Sequence, residues 1–468
     1  MHRSKATFRE FLVAAVANIS AIGMGTALGW PSPMFANLLS NSTLENPVGY
    51  PIVEAEQSWI NSILAVGGFF GPFAAGYLAD WKGRRLALLL SGPLHLIGWI
   101  LLVVAKSVAV MIVGRFVLGF GNGWILIALT MYIGEIASDK YRGILGSFLQ
   151  IGQTLGILYV YCIGPFVSYF VCQWICLAVT ILFTVLFYYM PETPHFYVAN
   201  NLDYKATEVL MYLRDGHSVE DVEQEKELIK KHLHQEQDHQ KSNVLRSLFT
   251  NRANLRALII SFFLLSFQQW TGIDCILSNS ELIFDEANIS LAPEISTIML
   301  GIVQVVSCLL TLLFVDRVGR KPVLMSSALG LTVSLGILGA YFMMVQMNDV
   351  PQHNISWMPL TGMLAFIAIF NFGFGPVPWA IASEIFAHDV KAVGNMINIS
   401  VTWILDFLAL RFFLLIGETF GLQWSFWIFA IVCAAAFVFT LLCVIETKGL
   451  SLQEIQERLG STKKKPDQ

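Results

Sequence analysis

The chain has 468 residues, of which 55% are hydrophobic and 13% charged, and its formal net charge is −4. Soluble domains carry about 25% charged residues, and one of this length would need far more polar surface to cover it, so an ordinary soluble protein is excluded. No basic stripe interleaved with aromatics is present, which leaves no footing for a nucleic-acid partner.

A bilayer span takes about 20 mostly apolar residues. In chain order, twelve such stretches predict helices over roughly 10–30, 58–79, 86–105, 109–132, 144–164, 170–190, 255–277, 294–315, 322–345, 358–382, 393–416 and 424–445. The first follows Arg3, Lys5 and Arg9; its apolar run is too long for a secretory leader and no small-residue cleavage site follows, so it reads as a retained helix. Lys82, Arg84 and Arg85 follow the second helix, and Lys140 and Arg142 the fourth. Arg317, Arg320 and Lys321 follow the eighth, and Lys391 the tenth, whereas 31–57, 278–293 and 346–357 contain no Lys or Arg. The positive-inside rule then places both termini in the cytoplasm, with the plasma membrane the expected location. Glycosylation sequons at Asn41, Asn288 and Asn354 all fall in the predicted outer loops.

Residues 191–253 form the longest hydrophilic stretch, and 218–241 within it reads as a charged helix. Its His232, His234 and His239 suit a solvated face and lack metal-ligand spacing, so no metal or cofactor is expected. The seven cysteines (Cys162, Cys172, Cys176, Cys275, Cys308, Cys433 and Cys443) lie in apolar stretches and read as packing residues. The expected organisation is a six-helix bundle over 1–190, a cytoplasmic helical linker over 191–253, a second bundle over 254–447 and a cytoplasmic tail over 448–468. That tail carries Lys463-Lys464-Lys465, expected to be disordered and near anionic lipid.

Three signatures recur in the same order in both halves. Asp80-x-x-Gly83-Arg84-Arg85 returns as Asp316-x-x-Gly319-Arg320-Lys321, Glu135-x6-Arg142 as Glu384-x6-Lys391, and Glu192-Thr193 as Glu446-Thr447. Two six-helix halves in parallel repeat point to a transporter holding its substrate near mid-membrane. Acids accompany the bases at the inner helix ends, and positive-inside topology needs no acids. A gating role, with ion pairs bridging the halves when the cavity faces outward, is therefore expected of Asp80, Arg84, Arg85, Arg115, Glu135, Arg142, Glu192, Asp316, Arg320, Glu384, Lys391 and Glu446. Gly119-x-Gly121-x-Gly123 lies inside an apolar span with no preceding strand, so it reads as close helix packing rather than a nucleotide loop.

With Gly76-x-x-x-Asp80, Gly114-Arg115, Pro191-Glu192-Thr193-Pro194, Gln268-Gln269-x-x-Gly272-Ile273, Gly375-Pro376-x-Pro378-Trp379 and Glu446-Thr447-Lys448-Gly449 in order, the chain resembles the sugar porter family of the major facilitator superfamily over nearly its whole length. Leu28-Gly29-Trp30-Pro31-Ser32-Pro33 and Phe372-Gly373-Phe374-Gly375-Pro376 look most like insect trehalose transporters and intracellular-type glucose transporters. The resemblance implies an all-α membrane protein of major facilitator fold, with twelve transmembrane helices in two six-helix halves. It further implies a sugar carrier that works by alternating access as a monomer in the lipid bilayer, and no enzyme. Its sugar contacts map onto Gln150, Gln268, Gln269, Asp274, Gln304, Asn371, Trp379, Thr402 and Trp403. For Gln150, Gln268 and Gln269 the other reading is interhelical hydrogen bonding, and for Trp403 it is core packing. Gly272 and Gly375-Pro376 are expected to let helices 7 and 10 break.

The chain departs from the family at Asp274, where asparagine is usual, at Ser278-Asn279, where a tyrosine pair is usual, and at Thr402 and Asp406, where asparagine is common. Proton-coupled relatives carry an acid where this chain has Gly25, which points to uniport of a hexose or trehalose. Two alternatives stay open: a proton symporter using Asp274 or Asp406, with Arg411 a candidate counter-charge for Asp406, and a non-transporting sugar sensor.

Overall fold

The computed structural model describes residues 8–41, 46–138, 140–214, 218–239, 244–347, 355–387, 390–450 and 452–460, without the side chains of 232, 234–246, 312–317 and 392. Asn354, the tail lysines and the side chains of His232, His234, His239 and Asp316 lie outside that description. Among the described residues, twelve helices or helix pairs are long and apolar enough to cross a membrane, each coinciding with a predicted stretch.

In the first half these are α1 (Phe8–Gly29) with α2 (Pro31–Leu39), α3 (Glu54–Lys82), α4 (Arg84–Val104), α5 (Val108–Ile136), α6 (Arg142–Ile163) and α7 (Tyr169–Phe187). The hydrophilic stretch folds as α8 (Pro194–Ala199), α9 (Asp203–Leu213), α10 (Val219–His239) and α11 (Val244–Thr250). The seventh span is broken into α12 (Arg252–Gln269), α13 (Ile273–Ser278) and α14 (Ser280–Glu286). Then come α15 (Pro293–Val318) and α16 (Arg320–Met347), the tenth span as α17 (Trp357–Phe372) and α18 (Val377–Ile385), α19 (Lys391–Phe420), α20 (Leu422–Cys443) and the short α21 (Leu452–Gly460).

The chain divides into two compact units, one of Met1–Glu236 with Leu277–Leu282, the other of Gln237–Ile276 with Ile283–Gln468. In the first, glycines set the helix spacing. A Cβ at Gly119 would come within 1.9 Å of Leu64 O, one at Gly123 within 2.2 Å of Gly68 O, and one at Gly67 within 2.1 Å of Phe116 O. Gly119 and Gly123 are thus the seam of α3 against α5, where backbones touch directly, while Gly121 faces His95 of α4; small residues supply this packing in lipid, where apolar burial gives helices no drive to associate. A second seam joins α1 to α6, with a Cβ on Gly25 falling 2.1 Å from Gln153 O.

The hydrophilic stretch is tied to the same unit by charge. Arg214, which caps the C-terminus of α9, is 3% exposed; its Nη1 donates to Ile136 O at 3.0 Å and lies 3.4 Å from Glu10 Oε2, while Nη2 donates to Glu225 at 2.8 Å. Glu10 also accepts from Ser138 N at 2.8 Å and Ser138 Oγ at 3.0 Å. Val198, Ala206, Leu210, Val222 and Ile229 form a small apolar core beneath α8, α9 and α10.

Candidate transport site

Prolines free backbone acceptors at both places where buried polar side chains gather. Pro31 has no N–H to offer the carbonyl four residues back, Ala27 O, and Arg115 donates to that oxygen and to Ile60 O at 3.1 Å. The Arg115 guanidinium lies 5.2 Å from the Trp30 ring centre, and Trp30 Nε1 donates to Gln173 Oε1 at 2.7 Å. Arg115 is 1% exposed and lies within the first unit, set against the carbonyl that proline releases.

In the second unit, Pro378 likewise leaves Phe374 O without its helical donor. Gln268 Nε2 fills the gap, donating to Phe374 O at 2.9 Å and to Gly375 O at 2.6 Å. Its Oε1 is buried and, among the described residues, has no hydrogen-bonding partner; the same holds for Gln304 Oε1 on α15. The two readings of Gln268 therefore divide between its atoms: the amide N–H2 pins helix 7 to the break in helix 10, and the amide oxygen remains available. Both breaks occur where expected, at Gly272, which takes φ +82°, and over Gly373–Pro376.

Across the break at Gly272, Gln269 Nε2 donates to Asp274 Oδ2 at 3.4 Å, and Asp406 lies on α19, 3% exposed. Gln269 and Asp274 are thus linked to each other, while Gln268 is bonded separately to the break in helix 10. The other expected contacts are less engaged with either. Asn371 Nδ2 donates to Ile367 O and Thr402 Oγ1 to Asn398 O, each four residues back on its own helix. Trp403 is buried on α19, Trp379 partly buried on α18, and Gln150 partly buried on α6 of the first unit.

The segment Leu277–Leu282 belongs to the first unit, which no pattern in the sequence signalled. Tyr161 Oη donates to Leu277 O at 2.6 Å, Ser32 and Ser280 share a 2.9 Å hydroxyl contact, and Gln57 Nε2 donates to Asn279 Oδ1 at 3.4 Å. At the departure Ser278-Asn279, Asn279 and its neighbours Leu277 and Ser280 form a small polar clasp. Ser32, Gln57 and Tyr161 were missed because singly placed polar residues in apolar helices look alike until the chain is folded.

The repeated charges form the same device twice. Gly83 takes φ +104° and Gly319 φ +111°, turning the chain from one helix straight into the next. The carboxylate of Glu192 accepts from Arg85 N at 2.9 Å, and that of Glu446 from Arg320 N and Lys321 N at 3.0 Å, each capping the new helix's N-terminus. A Cβ at Gly83 would lie 2.2 Å from Glu192 Oε2, so a side chain there would push the capping carboxylate aside, and the positive φ is what requires glycine. Arg84 donates to Glu135 at 2.8 Å and approaches Asp80 at 3.5 Å, while Arg320 donates to Glu384 at 3.1 Å. Arg320, Glu384, Lys391 and Lys448 line one cavity of about 360 Å³. Arg142 is exposed on the first turn of α6. Asn41 and Asn288 are both exposed, in keeping with their sequons.

The twin caps differ electrostatically. Burial, helped by the nearby Glu135 charge, holds Glu192 above the ordinary glutamate value of 4.5 in spite of its backbone donors. Burial also acts upward on Glu446, but N–H donors from Lys448, Arg320, Lys321 and Thr447 outweigh it and leave the carboxyl below 4.5.

The family description "Sugar (and other) transporter" matches residues 17–459. The chain belongs to this sugar transporter family. It is 29% identical to the facilitated trehalose transporter Tret1 of Culex quinquefasciatus over 97% of this chain and 87% of that one. With Tret1 of Anopheles gambiae it shares 28% identity over 96% of this chain, spanning 56% of that longer protein. The solved proton:xylose symporter XylE, of the major facilitator superfamily, superposes with TM-score 0.77 at 23% identity, covering 97% of this chain and 99% of that one. The inward-open xylose transporter XylE from E. coli gives TM-score 0.79 at 23% identity over 96% and 99%. The fold of this sugar transporter family member is therefore that of the major facilitator superfamily.

Proposed function

We propose that this protein moves a hexose or a disaccharide such as trehalose down its gradient by alternating access. The observation that carries the reading is Gln268, whose amide nitrogen joins the broken helices 7 and 10 while its buried oxygen is left to accept a sugar hydroxyl. Gln304 Oε1 is a second such acceptor, and Gln150, Gln269, Asp274, Asn371, Trp379, Thr402 and Trp403 complete the proposed set of sugar contacts. An unsatisfied buried acceptor costs about 1–3 kcal/mol, which a sugar hydroxyl recovers on binding.

Uniport is supported at Gly25. A Cβ there meets Gln153 O at 2.1 Å, so an acidic side chain at this position would force α1 from α6. In this reading the paired charges Arg84–Glu135 and Arg320–Glu384, together with Asp80, Arg142, Asp316 and Lys391, gate the cycle at its cytoplasmic side. The protein acts without catalysis or cofactor, as a monomer in the plasma membrane, with both termini cytoplasmic and its glycosylation sites outside. Residues 1–190 and 254–447 are the two bundles, 191–253 the linker and 448–468 the tail.

Uptake of labelled glucose and trehalose into proteoliposomes, with and without a pH gradient, tests the reading. Saturable uptake that stops at equilibrium supports it. Accumulation driven by the gradient refutes uniport, and sugar binding without uptake refutes transport. Glu384→Gln is expected to favour the inward-open state, read by faster labelling of cysteines placed along the inner pathway; unchanged labelling removes Glu384 from the gate.

A further inference from the structure

The repeated charge device is complete in the first unit and incomplete in the second. Both oxygens of the Glu135 carboxylate are used: Arg84 Nε donates to Oε1 at 2.8 Å, and Thr193 Oγ1 donates to Oε2. In the second unit Arg320 Nη2 donates to Glu384 Oε1 at 3.1 Å, which repeats the first of these bonds. The second bond has no counterpart. Glu384 Oε2 and Thr447 Oγ1 are both buried and, among the described residues, have no hydrogen-bonding partner, although Thr447 is only 4% exposed. The chain then diverges, because Thr193 is followed by Pro194-His195 and Thr447 by Lys448-Gly449. The second copy thus gains a cation and loses an imidazole, and a Cβ at Gly449 would meet nothing within 4 Å. Arg320, Glu384, Lys391, Thr447, Lys448 and Gly449 all line the cavity of about 360 Å³ found here.

We propose that this cavity binds a phosphorylated polyol, a phosphate monoester whose carbon skeleton carries hydroxyl groups. None of its lining residues is among the proposed sugar contacts, so it is a second site, and in the topology proposed above it is cytoplasmic. Three cations line it against one carboxylate, and they come from separate places in the chain. Arg320 begins α16, Lys391 begins α19, and Lys448 follows the cap. The Glu446 charge is engaged elsewhere, since its carboxylate accepts from the backbone N–H groups of Arg320, Lys321, Thr447 and Lys448. A phosphate monoester, whose second ionisation lies near about pH 6, is a dianion at neutral pH and matches this surplus. Arginine meets phosphate through its planar fork and lysine as a point charge.

The two orphaned atoms narrow the ligand further. Thr447 Oγ1–H is a neutral donor for a phosphate oxygen. Glu384 Oε2 can only accept, so it repels a bare anion and calls for a ligand that also presents O–H groups. A phosphorylated polyol satisfies both atoms at once, and buried polar atoms without a partner are rare enough to call for a reason. The cavity volume lies within the range of small-molecule sites, about 300–1,000 Å³. Two sources share this chemistry, a soluble phosphate ester and the inositol phosphate headgroup of a lipid. Either would tie the start of α16, the start of α19 and the turn after Glu446 to one another.

The experiment uses the full chain in phosphatidylcholine nanodiscs at constant ionic strength, with myo-inositol 1-phosphate as the soluble probe. Myo-inositol and inorganic phosphate are controls for its two halves, and nanodiscs containing phosphatidylinositol 4-phosphate are the lipid arm. The soluble probe should raise the thermal midpoint with concentration, as any ligand of the folded state does. Myo-inositol should leave it unchanged, and inorganic phosphate should bind about tenfold more weakly. Lys448→Gln and Thr447→Val should each weaken binding by about tenfold; the Glu446 cap uses only their backbone N–H groups, so it survives both changes. In the wild type the ligand should also protect Lys391 and Lys448 from acetylation, read by mass spectrometry, and leave the exposed Lys205 of the first unit unprotected; this needs no variant. Stabilisation and protection by the soluble probe assign a free ester, and the same effects seen only in the lipid arm assign a headgroup; both uphold the site. No shift and no lysine protection in either arm overturns the proposal, as does binding that both variants keep at wild-type strength. Inorganic phosphate that binds as tightly as the probe overturns the polyol and the role given to Glu384 Oε2. Since none of these readouts involves sugar uptake, the site and the transport reading fail separately.

Discussion

Replacing Arg214 by methionine should loosen the linker from the first helical unit. The guanidinium serves three acceptors, Ile136 O at 3.0 Å, Glu10 Oε2 at 3.4 Å and Glu225 Oε1 at 2.8 Å, and Arg214 and Glu10 are only 3% and 2% exposed. Methionine keeps the apolar stem but takes the guanidinium away from Glu10, a buried carboxylate that keeps Ser138 among its donors. Breaking a buried ion pair from one side costs about 3–5 kcal/mol. At about 1.4 kcal/mol per factor of ten, the population with α9 and α10 released should rise by a factor on the order of 100 or more. Limited proteolysis within the linker, which tracks that open population when reclosing is fast, should accelerate accordingly, and the thermal midpoint in detergent should fall. Adding Glu10→Gln should restore about 1 kcal/mol or more, since it removes the stranded charge. If Arg214→Met leaves the cleavage rate unchanged, or if Glu10→Gln adds its own full cost to it, the cluster is not holding the linker and the reasoning fails.

Gly25→Asp should lower the yield of folded protein rather than confer proton coupling, because its Cβ meets Gln153 O at 2.1 Å and overpacking of this kind costs about 1–3 kcal/mol; gradient-driven uptake by a well-folded variant would refute this. Gln268→Leu should weaken sugar affinity roughly tenfold to a hundredfold, matching about 1–3 kcal/mol for a buried partner lost, whereas Thr402→Val should change it much less because that hydroxyl already bonds Asn398 O at 2.8 Å. Equal losses in a binding titration would overturn the distinction. The two caps should respond to acid in opposite senses. Glu446 sits below the ordinary 4.5, so its contribution is present above that value and is lost as pH falls through its folded value; the deficit of Glu446→Gln in thermal midpoint should narrow at low pH. Glu192 sits above 4.5, so its proton-linked contribution is lost as pH rises through its folded value, and the deficit of Glu192→Gln should widen as pH falls toward 4.5. Parallel slopes would contradict the assignment.

The twelve spans were legible in the sequence because a bilayer demands long apolar runs and helical backbone whatever the tertiary contacts. The repeat was legible for a related reason: Gly83 and Gly319 occupy the same positive-φ turn, Glu192 and Glu446 the same cap, and a local geometry used twice leaves the same residues twice. The glycine string on α5 could be assigned to packing because no strand preceded it, although its partner, α3, could not be named. What tertiary structure decided was the use of each polar atom. Sequence marked Gln268 as important, but only the fold shows its nitrogen spent on Phe374 O and its oxygen left over. Sequence marked Asp274 as a departure, and only the fold turns it back across the Gly272 break to accept from Gln269. Glu10 and Arg214 lie far apart in the chain, and only folding buries them together. Hydropathy and local turns are properties of neighbouring residues and can be read along a chain, whereas a hydrogen bond between distant side chains depends on positions that no stretch of sequence contains by itself.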